Sequence, residues 1–215
     1  MARLAVFDKL NNNLQKTTKR SVPPIVDFFE EMELPIEEIE SRINLAYLLM
    51  PIFTYLFFVS GSMATEEAID YAYLYDIVQR RYTDAIREYN EDLADDNRIK
   101  ERIASISQEI VNTTIDNIQD GYYTSDDRAR MIAENETNAI ANYEREQKAI
   151  AKGATMKMWV SMRDERVRKD HIEVDGTMIP INDYFEVGDD LMLYPGDLNA
   201  SPEQTIGCRC VCQYF

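Results

Sequence analysis

The chain has 215 residues, of which 45% are hydrophobic, 10% aromatic and 29% charged, with 7 glycines and 7 prolines. Such a composition can bury one large core or two small ones, and it excludes global disorder and collagen-like or mucin-like chains. Thirty-nine acidic against 23 basic residues give a formal net charge of -16, which opposes any role built on neutralising many phosphates, so no specific nucleic acid is expected as a partner.

The first residues carry Arg3, Lys9, Lys16, Lys19 and Arg20 but no apolar run followed by a small-residue cleavage site, so no signal peptide is expected. Asn11 to Lys19 is polar, and Pro23-Pro24 breaks any helix. Leu34-Pro35-Ile36-Glu37-Glu38 predicts a helix start, with proline in the first turn and acids at the positive end of the dipole. It leads into the uncharged stretch 43–64, whose most apolar part, Leu45 to Val59, contains Pro51. A membrane span wants about 20 predominantly apolar residues, so two readings stand. One is a helix kinked at Pro51 and covered by the protein or a partner; the other is a span. If a partner covers it, Phe53, Leu56, Phe57 and Phe58 are the docking candidates, because a large exposed apolar patch is a binding site or an aggregation hazard.

Thr65 can cap the next helix, with Glu66 and Glu67 in its first turn. Ile69, Tyr73 and Ile77 form one row and Leu74, Val78 and Tyr82 the adjacent one, continuing through Ile86, Tyr89 and Leu93. Asp95-Asp96-Asn97 interrupts the pattern. Ile99, Ile103, Ile106 and Ile110 then start a second stripe, carried by Val111, Ile115 and Ile118 to a stop at Asp120-Gly121. Ser125-Asp126-Asp127 opens a third long helix. Ile132, Ala133, Ala139, Ile140, Tyr143 and Ile150 share its inner side, Glu134, Glu136, Glu144, Arg145 and Glu146 its wet side, and Gly153 supplies the stop. Tyrosine and isoleucine stripes at this spacing are assigned to packing.

From Thr155 the texture changes. Short β-prone runs at 158–160, 177–179, 191–194 and 210–215 are separated by the turn signals Asp175-Gly176, Gly188-Asp189 and Pro195-Gly196-Asp197. The expected fold class is α+β: a long-helix N-terminal region, residues 1–153, followed by a small loop-rich α+β domain at 154–215. The core of that domain is thin, so it should lean on the helices or on a neighbouring subunit.

The C-terminal part concentrates chemistry-bearing side chains, and three readings of them stand side by side. Cys208, Cys210 and Cys212 point one way if the segment is a strand, and with His171 they could draw a metal site. Their C-x-C spacing converges less readily than C-x2-C, however, and no metal or cofactor is expected; the competing role is small buried hydrophobes. Their odd number and tight spacing make no disulfide framework, which fits a reducing cytoplasm. Secondly, Asp164-x-Arg166-Val-Arg168-x-x-His171 could hold a scissile phosphate and move a proton, as a ribonuclease-like effector would. The acidic balance and the lack of a second acid or base oppose an enzyme. Thirdly, the arginine forks could clamp acids and carbonyls to stiffen a domain of poor core.

The order Trp159, Asp164-x-Arg166-Val-Arg168-x-x-His171, Asp175-Gly176, Phe185, Pro195-Gly196-Asp197 and Cys208-Arg209-Cys210 resembles the phage head morphogenesis family, the Mu F-like minor head proteins of tailed bacteriophages. The likeness runs from about Arg128 onward. In the helix before the motif the family usually has arginine and threonine ahead of the glutamate, where this chain has Glu134 and Asn135 before Glu136. The resemblance implies a non-enzymatic minor structural protein of the virion, attached to the portal vertex on the head interior and present in the host cytoplasm during assembly. It would support procapsid assembly and DNA packaging or delivery. The implied partners are the portal protein, other copies of this chain around the portal ring, and the major capsid or scaffold protein. Trp159, Asp164, Arg166, Arg168, His171, Gly176, Cys208, Arg209 and Cys210 carry over as signature positions rather than as an active site. Some members carry a fused toxin or enzyme, and no such cargo is expected after Phe215. The alternative from another class is a membrane-associated protein that inserts residues 45–59 during genome delivery.

Overall fold

The computed structural model describes residues 25–63 and 70–215. The polar segment 11–19, the Pro23-Pro24 break and the Thr65 cap lie outside these residues. Helix α1 (Ile25–Glu30) leads through Pro35 into α2 (Ile36–Met63), which runs through Pro51 as one continuous helix. Glu37 and Glu38 occupy its first turn, as the sequence implies. Leu45, Leu49, Ile52, Phe53 and Leu56 recur at helical spacing, and all are buried. Among the described residues α2 alone is long and apolar enough to cross a membrane, and its stripe goes to the protein's own core.

That placement corrects the docking set. Phe53, Leu56 and Phe57 are at most 3% exposed, inside the core, whereas Phe58 is 74% exposed. Consecutive residues on a helix are about 100° apart, so an unbroken run of aromatics straddles the boundary of the buried face.

Helix α3 (Tyr71–Tyr89) is capped by Asp70, whose side chain accepts from the Tyr73 backbone N–H. Of the two rows on it, Leu74, Val78 and Tyr82 face the core, while Tyr73 is exposed. Asn90 ends α3 and caps a separate short helix, α4 (Glu91–Asp95), which buries Leu93. The polar interruption at Asp95-Asp96-Asn97 is a cap: Asp96 accepts from the Arg98 and Ile99 backbone N–H groups and opens α5 (Asn97–Asp116). Its isoleucine stripe is buried as the spacing predicts, and the helix ends a turn before Asp120-Gly121.

Ser125 caps α6 (Asp126–Ala151), and Gly153, at φ +87°, follows its end. The wet face expected for this helix is only partly present, with Glu144 and Arg145 half-buried. Glu134, Glu136 and Glu146 are buried and Ile150 is exposed, because α6 lies at the centre of the molecule, with α2 on one side and β5 on another. Each buried acid has a cation: Arg130 at 3.1 Å from Glu134, Arg102 at 2.5 Å from Glu136 and Lys157 at 3.1 Å from Glu146.

The strands β1 (Met156–Val160), β2 (Met178–Pro180) and β5 (Val211–Tyr214) form an antiparallel sheet in the order β2-β1-β5, with Lys157 opposite Ile179 and Tyr214, and Trp159 opposite Cys212. The hairpin of β3 (Phe185–Val187) and β4 (Asp190–Met192) turns at Gly188, φ +59°. Two short helices, α7 (Lys169–Glu173) and α8 (Pro202–Thr205), complete an α+β fold. One apolar cluster runs from Ile25 through Cys212, so the small sheet shares the core of the helices.

Candidate functional site

The signature side chains converge where β1, α7 and the segment ahead of β5 meet. Trp159 comes from the middle of β1 and is fully buried, edge-on to His171 at 5.4 Å and to Phe185 at 5.3 Å between ring centroids. Gly176 takes φ +77° so that its N–H reaches the Trp159 carbonyl at 2.8 Å. His171, 1% exposed, hangs from α7 between these rings and two sulfurs. Its Nδ1 lies 3.7 Å from Cys208 Sγ and 3.5 Å from Cys210 Sγ.

The far side of the imidazole is fixed by a relay. Gln204 Nε2 donates to Asp170 Oδ2 at 2.8 Å, which turns the amide oxygen toward His171 Nε2 at 3.1 Å. Nδ1 is therefore the ring nitrogen that faces the two cysteines. A Cβ on Gly188 would stand 2.6 Å from both the Asp170 carboxylate and the Gln204 amide, so the β3–β4 turn closes directly over this relay. Beside Cys210 and His171 the Cys208 thiol is held well below its ordinary value, chiefly by the hydrogen bond from Cys210 and against the cost of burial; Cys210 is correspondingly pushed up. Cys212 stands apart, opposite Trp159 in β5, and burial pushes its thiol up to about 12.

The arginines of the signature do not face the histidine. Arg209 Nη2 donates to both Asp164 oxygens, at 2.8 and 2.7 Å, and Arg209 Nη1 donates to Glu31 at 3.2 Å. Arg166 shares Glu31 at 2.6 Å, and Arg168 donates to the Ile206 carbonyl. The bonds from Arg209 hold the Asp164 carboxyl below its ordinary value. With the histidine buried and the arginines committed to protein acceptors, no phosphate cradle forms around it. A cleft of about 690 Å³, lined in part by Glu38, Tyr89, Glu144, Arg145 and Lys148, opens elsewhere and is lined by none of the signature residues.

Asp175, beside Gly176, accepts from the Ser161 backbone N–H and from Arg163 Nε, both at 2.7 Å. Burial raises its carboxyl, but these donors outweigh it and leave it below the ordinary value of 3.8. Its contribution to stability is therefore present above that value and is lost as pH falls through the depressed one. Asp175→Asn should cost about 1–3 kcal/mol at neutral pH and flatten the acid limb of a pH series of urea unfolding midpoints. A variant with the wild-type acid limb would contradict this assignment.

Sequence reasoning missed the residues that grip the cysteine segment. Asn135, Asn138 and Asn142 recur at spacings of three and four on one face of α6. The Gly207 N–H donates to Asn135 Oδ1 at 2.7 Å, and Asn138 Nδ2 donates to the Cys208 carbonyl at 2.9 Å. Asn142 Nδ2 donates to the carbonyls of Pro195 at 2.7 Å and Cys210 at 3.3 Å. The helical spacing of the three amides, two of them amid alanines and isoleucine, was the available signal. Behind them the buried Arg42 of α2 donates to the amide oxygens of Asn138 and Asn142. Desolvation, ahead of repulsion by Arg145, lowers its guanidinium to about 10.

A family model described as Phage Mu protein F like protein matches residues 76–213, well over half of the chain. The matched segment takes in α5, α6, the sheet except Tyr214 at the end of β5, and every signature side chain, and it begins inside α3, upstream of Arg128. No curated protein and no solved structure matches the chain.

Proposed function

This chain belongs to the phage Mu protein F-like family, a family of phage head morphogenesis, and on that premise we propose that it is a minor structural protein of a tailed-phage virion, bound to the portal vertex on the head interior. There it supports procapsid assembly and DNA packaging or delivery, with the portal protein and further copies of itself as neighbours and the major capsid or scaffold protein within reach. The family match over residues 76–213 carries this reading. The net charge of -16 supports it, since a strongly acidic protein avoids sticking to packaged DNA. The burial of His171 and the commitment of Arg166 and Arg168 to protein acceptors favour a structural over a ribonuclease role.

Of the four docking candidates on α2, Phe58, beside the buried Phe57, is the one that is exposed. The test mixes the purified chain with the portal oligomer of the same phage and follows co-elution. The wild type should form a stable complex. Phe58→Asp should weaken it by about 2 kcal/mol or more, as truncation of a buried aromatic anchor does, while changing stability by no more than about 0.5 kcal/mol. Unchanged association of the variant removes Phe58 from the interface. Failure of the folded wild-type chain to co-elute overturns the portal assignment.

A further inference from the structure

We propose that His171, Cys208 and Cys210 form a binding site for one thiophilic divalent cation, zinc by chemical class, which fastens α7 to the segment ahead of β5. All three side chains are at most 2% exposed, and their ligand atoms lie within 4.8 Å of one another. Among the described residues no fourth histidine, cysteine, aspartate or glutamate joins the group.

The distances are those that a shared ion would set. A tetrahedral zinc with Zn–N of about 2.0–2.1 Å and Zn–S of about 2.3 Å separates nitrogen from sulfur by about 3.5–3.6 Å. The observed separations are 3.7 and 3.5 Å.

The surroundings are prepared for the same ligand. The relay from Asp170 through Gln204 engages Nε2 of His171 and leaves Nδ1 toward the sulfurs, which is how ligating histidines are ordinarily oriented. The cysteine backbone is held by Asn138 and Asn142, so both sulfurs are placed by bonds that do not involve sulfur. Arg209, between them, is drawn away to Asp164. Trp159 Nε1 is buried with no hydrogen-bond partner, and its indole stands edge-on to the His171 ring at 5.4 Å. A metal-bound thiolate at Cys210 would give that N–H an acceptor.

A donor set of two sulfurs and one imidazole nitrogen selects zinc among abundant divalent ions and rejects magnesium and calcium, which require oxygen. Binding takes both cysteines as thiolates, the thiol protons that remain go to solvent, and no electron moves. Among the described residues the protein supplies three of the four ligands that zinc ordinarily takes, so the fourth would fall to solvent. Cys212 takes no part.

The experiment uses the purified full chain, free of any histidine tag and kept reduced. Elemental analysis should find one zinc per chain. Chelator-stripped protein should melt at a lower temperature and recover on adding zinc alone. Cobalt(II) titrated into stripped protein should give the intense visible bands of tetrahedral coordination together with thiolate-to-metal charge transfer, saturating at one equivalent. Cys212→Ser should leave the cobalt spectrum unchanged, whereas the Cys208→Ser/Cys210→Ser double variant should drop from one ion per chain to none. Folded wild-type chain that takes up neither zinc nor cobalt overturns the site whatever the variants do. Loss of the metal in Cys212→Ser with an intact wild-type fold, or its retention in the double variant, overturns the ligand set.

Discussion

Lys157→Met is expected to lower the urea midpoint sharply, by the equivalent of about 3–5 kcal/mol, the usual cost of orphaning one partner of a buried ion pair. The Lys157 side chain is 0% exposed and Glu146 3%, with Nζ 3.1 Å from Oε1. Glu146 is already pushed above the ordinary carboxyl value by burial, with Lys157 as the main opposing influence. Removing the ammonium leaves a buried carboxylate whose only relief is to take up a proton. The folded variant then holds that proton more tightly than the unfolded chain does. Its stability should therefore fall as pH rises above the ordinary glutamate value of 4.5, and the deficit against wild type should be smallest at acid pH. The double variant Lys157→Met/Glu146→Leu removes both charges at once and should recover most of the loss. Equilibrium urea unfolding at several pH values reads all three. A single variant within about 1 kcal/mol of wild type at neutral pH would show that water reaches the pair.

Arg42→Met is the second large effect, a loss of about 2–4 kcal/mol, because two buried amide oxygens lose their donors at about 1–3 kcal/mol each while the cost of burying a guanidinium is recovered. Arg42 reaches from α2 to Asn138 and Asn142 of α6, which in turn hold the carbonyls of Cys208, Pro195 and Cys210. The damage should therefore extend beyond α2. In native-state hydrogen exchange the Gly207 N–H, bonded to Asn135 one turn along the same face, should lose protection together with its neighbours in the cysteine segment. A double-mutant cycle of Arg42→Met with Asn138→Ala should show a coupling of about 0.5–3 kcal/mol. Strict additivity would mean that the guanidinium acts alone.

The helices were legible because their signals are local. The stripe through Ile99, Ile103 and Ile110 and the helix start at Ser125 need only a few neighbouring residues to be read, and the structure has them where the sequence implies. The signature was legible as an ordered string of residue types. What those residues touch was not. Asp164 and Arg209 are 45 residues apart, and Glu31, which Arg166 and Arg209 share, lies far upstream. The acids of α6 read as a wet face because charge is ordinarily solvated; nothing near Glu136 in the chain announces that Arg102 will cover it. The run 45–59 reads as uniformly apolar, so only packing could separate the buried Phe57 from the exposed Phe58. The β3 strand has three residues, Phe185–Val187, too few for alternation to stand out.

The reach of Arg42 also sets a timetable. Its acceptor Asn138 is 96 residues further along the chain, and at about 5–20 residues per second the ribosome needs about 5–20 s to cover that distance. Through that interval the apolar stripe of α2 has been made but the central helix that covers it has not. A nascent chain at this stage is a natural client for a host chaperone. The partnership of Glu31 with Arg209, 178 residues apart, closes later still, so the N-terminal helices reach their final contacts only when the cysteine segment has left the ribosome.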